Sequence, residues 1–177
     1  GFGFTYKYNS FNQLANVTDS ISGNLTARYY YDADGNRIMK KEYGSNSLNT
    51  TTYYVDESFI VISNSSGRFN ETYYYDERDL VAMKEIDGKM KYYHPDHLGS
   101  TTLITNSSAD NVEETFYLPF GSVLKGGSER FGYTGKEKDT ETGLNYYGQR
   151  YYDSYFRHFT QADSLLPDVY DPQQLNR

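Results

Sequence analysis

The sequence predicts an all-β protein in which antiparallel hairpin repeats form a curved strip with little helix. Three observations favour this fold class: 21 tyrosines in 177 residues, a tyrosine–aspartate unit that recurs along the chain, and turn-forming residues between short apolar stretches. Tyrosine is a good strand former, and no window of eleven residues shows a helical period. Short strands separated by frequent turns are typical of an antiparallel meander.

A short tyrosine-rich unit recurs through the first half of the chain. Three copies have the form Y-x-Y-[DN], and two further copies are less regular. The closing residues of the five units are Asn9, Asp32, Asp56, Asp76 and Asp96. Their separation of about 20 to 24 residues is the kind of period that indicates stacked supersecondary units.

Each unit predicts a strand, a turn and a second strand. Tyr29 and Tyr31 point to one face because strand side chains alternate. Asp32 and Gly35 then supply the conformations of a tight turn. The equivalent residues of a second copy are Tyr73, Tyr75 and Asp76.

Stacked hairpins bring equivalent tyrosines side by side, where cross-strand pairs stabilise the sheet. A phenol needs a hydrogen-bond partner. We therefore expect a half-solvated tyrosine face, lining a water-filled space or packing on a neighbouring subunit. The alternative is that tyrosine is used only for its strand propensity.

The bulk composition excludes several classes of protein. Lys and Arg total 17 against 24 Asp and Glu, a net charge of -7, which argues against a nucleic-acid partner because such proteins carry a basic surface. No apolar run approaches the ~20 residues of a membrane span. Cysteine is absent, so no disulfide framework is expected.

Six N-x-[ST] sites predict N-glycosylation of an exported chain. They are Asn16, Asn24, Asn49, Asn64, Asn70 and Asn106. All six fall in stretches predicted to be rich in turns, where an accessible acceptor belongs. The alternative is that Asn, Ser and Thr co-occur in turns without being modified.

The C-terminal third carries dense motifs, including YYHPDHLGS, LPFG, FGYTGKEKD, ETGL and RYYD. Together with the recurring tyrosine–aspartate (YD) units, these motifs make the chain resemble the RHS/YD-repeat proteins. Residues 92–177 resemble the RHS-repeat-associated core region of that family. Residues 1–91 would then be YD-type hairpins continuous with that core. The residues that carry the core resemblance are His94, Asp96, His97, Gly99, Pro119, Gly121, Gly135, Glu137, Gly143, Arg150, Tyr151, Tyr152 and Asp153.

The resemblance implies that the strip is part of a β-shell. Family members wind a long strip into a hollow shell, which encloses a toxic segment in bacterial toxins. A related barrel serves adhesion in animal teneurins. The core region closes the C-terminal end of the shell. A strip of 177 residues is too short to close a large shell alone, so the expected partner is the remainder of a longer chain or identical neighbouring subunits.

In several toxins of this family, the core also performs an aspartate-dependent self-cleavage. The candidate residues carried over by the resemblance are Asp163, Asp171 and Arg157. The elements that normally follow the family's cleavage motif are missing, and Asp163 also suits a turn near Pro167. Self-cleavage is therefore the weaker alternative.

Two local patterns raise the question of a metal, and both are better explained as turns. His94, Asp96 and His97 have ligand chemistry but no evident third partner. Residues 32–36 resemble the start of a calcium loop without its later bidentate Glu. We expect no metal and no cofactor.

The sequence thus predicts a non-enzymatic structural protein at an extracellular or cell-surface location. It would form the C-terminal part of a β-shell that encloses toxin cargo or mediates surface contact. The alternative is a subunit of a self-assembling fibre, tube or sheath, because open sheet edges invite pairing between chains.

Overall fold

The computed structural model describes residues 3–45, 47–77 and 79–161. Eleven strands form one large sheet in the first two thirds of the chain. They are β1 (Phe4–Tyr8), β2 (Leu14–Asp19), β3 (Leu25–Tyr31), β4 (Arg37–Gly44), β5 (Ser47–Tyr54), β6 (Phe59–Asn64), β7 (Gly67–Asp76), β8 (Asp79–Glu85), β9 (Met90–Pro95), β10 (Thr101–Asn106) and β11 (Asn111–Glu114).

This sheet is an antiparallel meander in which each strand pairs with its neighbours in sequence order. Among the described residues, β1 and β11 each pair with a single strand, so the sheet is open rather than closed into a barrel. The predicted fold class, an all-β strip of antiparallel hairpins, is confirmed. Position 91 lies inside β9, and the division of the chain there stays a prediction.

The remaining elements are short and form two small sheets. A hairpin pairs β12 (Phe116–Tyr117) with β13 (Val123–Lys125), and a 3-10 turn spans Tyr133–Gly135. A four-stranded antiparallel sheet contains β14 (Glu137–Asp139), β15 (Leu144–Tyr147), β16 (Arg150–Asp153) and β17 (His158–Phe159).

The three regular YD units share one irregularity in pairing. The register of the hairpin shifts immediately before the last tyrosine of each unit, which is Tyr8, Tyr31 or Tyr75. A bulge of this kind bends the strand and increases its twist. Its repetition at equivalent positions supports the periodic reading of the sequence.

In three of the five units, the closing aspartate or asparagine organises the following turn. Asp32 Oδ1 accepts hydrogen bonds from the backbone N–H groups two and four residues later, at 3.0 and 2.8 Å. Asn9 and Asp96 accept the same pair of bonds. The third residue after Asp32 is Gly35, whose φ of 88° is a conformation that favours glycine. Asp32 and Gly35 therefore lie in the tight turn between β3 and β4.

The tyrosine face of the sheet is covered by protein rather than by water. Tyr29, Tyr73 and Tyr93 are only 3%, 1% and 4% exposed. Their hydroxyls donate to the carboxylates of Glu141, Glu71 and Glu129, respectively. The expectation of a half-solvated face is therefore wrong for these rings, because carboxylates meet the hydrogen-bond demand that water was expected to meet.

Candidate functional site

The C-terminal part of the chain crosses the tyrosine face of the large sheet. We call residues 129–161 the strap. Its contacts meet the strands in reverse order: Glu129 with Lys91 of β9, Arg130 with Glu71 of β7, Glu137 with Arg37 of β4, Glu141 with Tyr29 of β3, and Thr160 with Tyr8 of β1. The strap thus ties the first strand of the sheet to the ninth.

Two apolar clusters hold the strap against the sheet. In the first, Leu144 and Tyr151 of the strap pack with Leu14 and Val17 of β2 and with Tyr29 of β3. In the second, Phe131 packs on a cluster formed by Ile60, Tyr73, Leu80, Met83, Tyr93 and Ile104. Burial of these side chains supplies most of the non-directional attraction between the two layers.

Arg37 lies at the centre of a buried ion-pair network between these clusters. Its Nη2 lies 2.7 Å from Glu137 Oε2, and its Nη1 lies 2.7 Å from Asp139 Oδ2. Both carboxylates belong to β14, two residues apart, so they project from the same face of that strand. The Arg37 backbone N–H donates to the hydroxyl of Tyr146 at 2.9 Å. One arginine therefore contacts both β14 and β15.

Lys40 continues the network along β4. Its ammonium lies 2.9 Å from Asp139 Oδ1, 3.0 Å from Glu42 Oε1 and 3.4 Å from Glu141 Oε2. An ammonium has three N–H donors, so each carboxylate receives one. Of the three, only Glu42 keeps a sizeable exposed fraction, 26% of its side chain.

Arg130 connects the network to the centre of the sheet. Its Nη1 lies 2.8 Å from Glu137 Oε1, and its Nε lies 3.3 Å from Glu71 Oε2. The whole network contains three cations, Arg37, Lys40 and Arg130, and five carboxylates, Glu42, Glu71, Glu137, Asp139 and Glu141. Carboxylates are therefore in excess by two.

Aromatic rings enclose the guanidinium of Arg37. Its Cζ lies 4.2 Å from the ring centroid of Tyr146 and 4.8 Å from that of Tyr54, distances at which a cation is attracted to the ring face. The Tyr54 hydroxyl accepts from Arg37 Nη2 and donates to Glu137 Oε1, both at 2.8 Å. Arg37 Nη1 also donates to the Tyr151 hydroxyl at 3.2 Å.

The two glutamates of the strap have opposite pKa shifts. Burial raises the pKa of Glu137, but the charges of Arg37 and Arg130 outweigh that effect and lower it to about 2. Burial, followed by the charge of Asp139, raises the pKa of Glu141 to about 7 despite the nearby ammonium of Lys40. Different surroundings thus keep one carboxylate ionised and favour a proton on the other.

This arrangement fixes the position of the strap. A slip of β14 by one residue would turn both carboxylates away from Arg37, because neighbouring strand residues point to opposite faces. Removing one partner from a buried ion pair leaves an uncompensated charge. The network therefore holds the strap against the sheet in a single register.

Several residues of the predicted core motifs build the strap itself. The ring centroid of Tyr151 lies 5.0 Å from that of Tyr29, and its hydroxyl lies 3.0 Å from the hydroxyl of Tyr31. Arg150 places its guanidinium 3.9 Å from the ring centroid of Phe159. Asp153 Oδ1 accepts hydrogen bonds from the backbone N–H groups of Tyr155 and Phe156.

Other motif residues shape the β12–β13 hairpin and its support. Pro119 accepts a hydrogen bond from the Tyr133 hydroxyl through its carbonyl, at 3.2 Å. Tyr152 donates to the carbonyl of Phe120 at 3.2 Å. Gly121 lies directly beneath the Tyr133 ring, which an added Cβ would approach to 2.3 Å. Gly99, Gly135 and Gly143 all have positive φ.

The two patterns considered as metal sites adopt turn geometry. Asp96 Oδ1 accepts hydrogen bonds from two backbone N–H groups. His94 Nε2 lies 3.0 Å from Thr105 Oγ1. His97 is exposed. Within residues 3–45, 47–77 and 79–161, no group of three or more His, Cys, Asp or Glu side chains is placed to hold a metal ion.

The self-cleavage candidates are only partly placed by the structure. Asp163 and Asp171 lie outside the described residues. Arg157 has a φ of 64°, its N–H donates to the Asp153 carbonyl at 2.7 Å, and its guanidinium lies 4.9 Å from the ring centroid of Phe120. A catalytic role for these residues stays a prediction.

The sequence predicted that all six sequons lie in turn-rich stretches, and the structure places only three of them there. Asn24 lies in the connection between β2 and β3, and Asn64 and Asn106 are each the last residue of a strand before a turn. Asn16, Asn49 and Asn70 lie within strands. For these three the predicted turn position is wrong, because polar residues are also used on a strand face that the strap does not cover. Glycosylation itself stays a prediction.

Sequence reasoning missed seven of the eight members of the network: Arg37, Lys40, Glu42, Glu71, Arg130, Asp139 and Glu141. The strap carboxylates had a usable signal, since Glu137, Asp139 and Glu141 alternate as expected for one face of an extended segment. Arg37 and Lys40 had none, because a charged residue in a strand is usually exposed. Their burial follows only from the strap that lies over them.

Comparison with known proteins agrees with this architecture. The family model described as teneurin YD-shell matches residues 3–177. The chain is 30% identical over 159 residues to the tRNA3(Ser)-specific nuclease WapA of Bacillus spizizenii, covering 85% of this chain and 7% of WapA. It is 26% identical over 191 residues to toxin subunit YenC1 of Yersinia entomophaga, covering 91% of this chain and 19% of YenC1.

The fold also matches a solved structure. The crystal structure of TcdB2-TccC3-Cdc42 superposes with a TM-score of 0.78 at 23% identity, over 94% of this chain and 9% of that one. The chain thus spans less than a fifth of the length of these relatives. No helix in the described ranges has the length and apolarity needed to cross a bilayer. The predicted resemblance is confirmed, and the chain belongs to the teneurin YD-shell family.

Proposed function

We propose that the protein is a non-enzymatic wall segment of a β-shell, in which the strap fixes the curvature of the eleven-stranded sheet. The observation that carries this proposal is the series of contacts by which the strap joins β1 through β9. A sheet this wide would flex without a second layer, because twisted open sheets are held in shape by what packs on them. A rigid wall suits an enclosure.

The shell would enclose cargo or present a surface for contact, and both roles need more chain than these 177 residues. Support comes from relatives that are far longer than the matched region. WapA is named a nuclease and YenC1 a toxin subunit. We assign any such toxic activity to a segment outside the wall, and the wall to its containment.

The open edges of the sheet are the surfaces through which the wall would continue. The outer edges of β1 and β11 carry no strand partner among the described residues, and unpaired edges accept further strands. The remainder of a longer chain is the occupant we favour. The same edges also support the second candidate, a fibre or sheath made of identical copies joined edge to edge.

Electron microscopy of the natural full-length product distinguishes these candidates. The shell predicts discrete hollow particles whose number of chains does not depend on concentration. Filaments that lengthen with concentration would support the fibre and refute the shell. The variant Arg37→Met tests the role of the strap, because it should make the particles irregular, whereas Lys125→Met, which removes an exposed ion pair, should not.

We also propose an extracellular or cell-surface location, supported by the six N-x-[ST] sites. The most accessible acceptors are Asn49 and Asn64, both of which are exposed. Intact mass of the protein from its source, before and after enzymatic removal of N-glycans, tests this proposal. An unchanged mass equal to that of the polypeptide would refute glycosylation.

Self-cleavage is the weaker alternative, and it rests on the family resemblance that singles out Asp163, Asp171 and Arg157. In the natural full-length product, Asp163→Asn should abolish processing while Asp153→Asn should retain it. Unchanged processing in Asp163→Asn would remove this assignment.

A further inference from the structure

We propose that protonation of Glu141 controls the turn between β14 and β15. The turn packs against β4 when Glu141 is protonated and separates from β4 when Glu141 is ionised. The turn spans residues 139–144 and carries two carboxylates of the network. The proposal concerns the strap of this chain alone, so its test does not depend on shell assembly.

The geometry around Lys40 is the first support. A single buried ammonium faces three carboxylates, of which Asp139 at 2.9 Å and Glu42 at 3.0 Å are closer than Glu141 at 3.4 Å. Asp139 also receives Arg37 at 2.7 Å. Glu141 is therefore the carboxylate that the positive charges stabilise least, and it is the one most readily protonated.

Burial separates Glu141 from its neighbour Glu42. The Glu141 side chain is 11% exposed, against 26% for Glu42. Water can therefore stabilise the charge on Glu42 better than that on Glu141. Desolvation disfavours the ionised form of a carboxyl group, so the excess negative charge of the network is relieved at Glu141.

The groups that face Glu141 come from three elements. On β4 they are Lys40 and Glu42, on β14 Asp139, and on β3 the hydroxyl of Tyr29, which donates to Glu141 Oε1 at 3.5 Å. Two of these groups are anionic and one is cationic. Burial and Asp139 outweigh Lys40, which is consistent with a pKa raised to about 7.

The direction of the pH effect follows from linkage. A carboxyl group whose folded-state pKa is raised contributes stability that is complete below the unfolded value of 4.5 and is lost as pH rises through about 7. The closed-to-open ratio of the turn should fall by up to tenfold per pH unit in this window. The total change would be on the order of a hundredfold.

Two measurements test the proposal. Carboxyl-carbon NMR of the wild-type protein should show one Glu titrating near pH 7, and that signal should be missing in Glu141→Gln. Amide hydrogen exchange of residues 139–144 should become faster between pH 5 and 8, after correction for the intrinsic rate, in the wild type but not in Glu141→Gln. Glu114→Gln, which alters an exposed carboxylate, should behave as the wild type does.

A glutamine mimics the protonated side chain, so Glu141→Gln should keep the turn closed at every pH. If the wild-type resonance titrates below pH 5, or if Glu141→Gln retains the pH-dependent exchange, the proposal is overturned. The NMR titration needs only the wild-type protein, so it decides the question even if the variant does not fold.

Discussion

Arg37 and Asp139 are separated by 102 residues, yet their side chains form a completely buried ion pair with an Nη1–Oδ2 distance of 2.7 Å. The arginine begins β4 of the large sheet, and the aspartate ends β14 of the strap. Each group needs a partner of opposite charge in order to be buried, because an isolated ion in the interior is strongly unfavourable. The pair therefore forms only when the strap has returned to the sheet.

This dependence gives the network a specific role. Apolar contacts bring the strap to the sheet, but they tolerate several alignments because they are not directional. The ion pairs accept one alignment, in which Arg37, Lys40 and Arg130 all meet carboxylates. The ion pairs therefore fix the register of the strap as much as they stabilise it, in keeping with the modest net gain expected of buried ion pairs.

Replacing Arg37 with methionine should destabilise the protein strongly. The change leaves Glu137 and Asp139 buried without their main partner, a loss of about 3–5 kcal/mol in the free energy of unfolding. Urea denaturation followed by tyrosine fluorescence measures it. Lys125→Met, in an exposed ion pair with Glu114, should leave the midpoint unchanged. A similar midpoint for both variants would mean that the network does not hold the strap.

Leu144→Ala should loosen the strap through packing rather than charge. Leu144 is fully buried against β2 and β3, and a buried Leu→Ala change removes about 2–5 kcal/mol of stability. The matched variant is Leu124→Ala, since Leu124 is 70% exposed. Thermal unfolding should show a large decrease in Tm for the first and none for the second. Equal decreases would contradict the strap's place in the core.

Gly121→Ala should cost more than Gly23→Ala. Both glycines have positive φ, 85° and 72°, so both variants bear a similar backbone strain of about 1 kcal/mol. A Cβ at Gly121 would lie 2.3 Å from Tyr133, whereas one at Gly23 would meet nothing within 4 Å. The difference in unfolding free energy isolates the steric effect. No difference would show that the Tyr133 ring moves aside freely.

The fold class was predictable because its signals are local. The turn after Asp32 depends on a side chain bonding to its own backbone and on a glycine three residues later, and both are visible in the sequence. The alternation of Tyr29 and Tyr31 also follows from strand geometry alone. Repetition of these signals every twenty or so residues was enough to predict a meander.

The covering of the tyrosine face was not predictable from such signals. Tyr29 and Tyr151 lie 5.0 Å apart between ring centroids, although more than a hundred residues separate them in sequence. Nothing local indicates that the strap folds back over the strands. For the same reason Arg37 and Lys40 resemble ordinary exposed strand residues, and only the partners that reach them from the strap explain their burial.

Acid should weaken the strap through Glu137. Its folded-state pKa is lowered from 4.5 to about 2, so its contribution is complete above about pH 4.5 and is lost as pH falls through about 2. The shift corresponds to on the order of 3 kcal/mol. Glu141 does not mask this effect, because its own contribution is constant below pH 4.5. The stability of the wild type should therefore fall steeply between pH 4.5 and 2.

Glu137→Gln removes the titrating group and should flatten that acid limb. The variant should be less stable than the wild type at pH 6, because Arg37 and Arg130 lose a charged partner, but the two should converge as the pH approaches 2. Glu114→Gln provides the matched control, since its carboxylate is exposed and its loss should leave the acid limb intact. Urea midpoints at half-unit steps from pH 2 to 6 measure the slopes. If Glu137→Gln keeps the wild-type slope, other carboxylates govern acid unfolding, and Glu137 is not the group through which acid releases the strap.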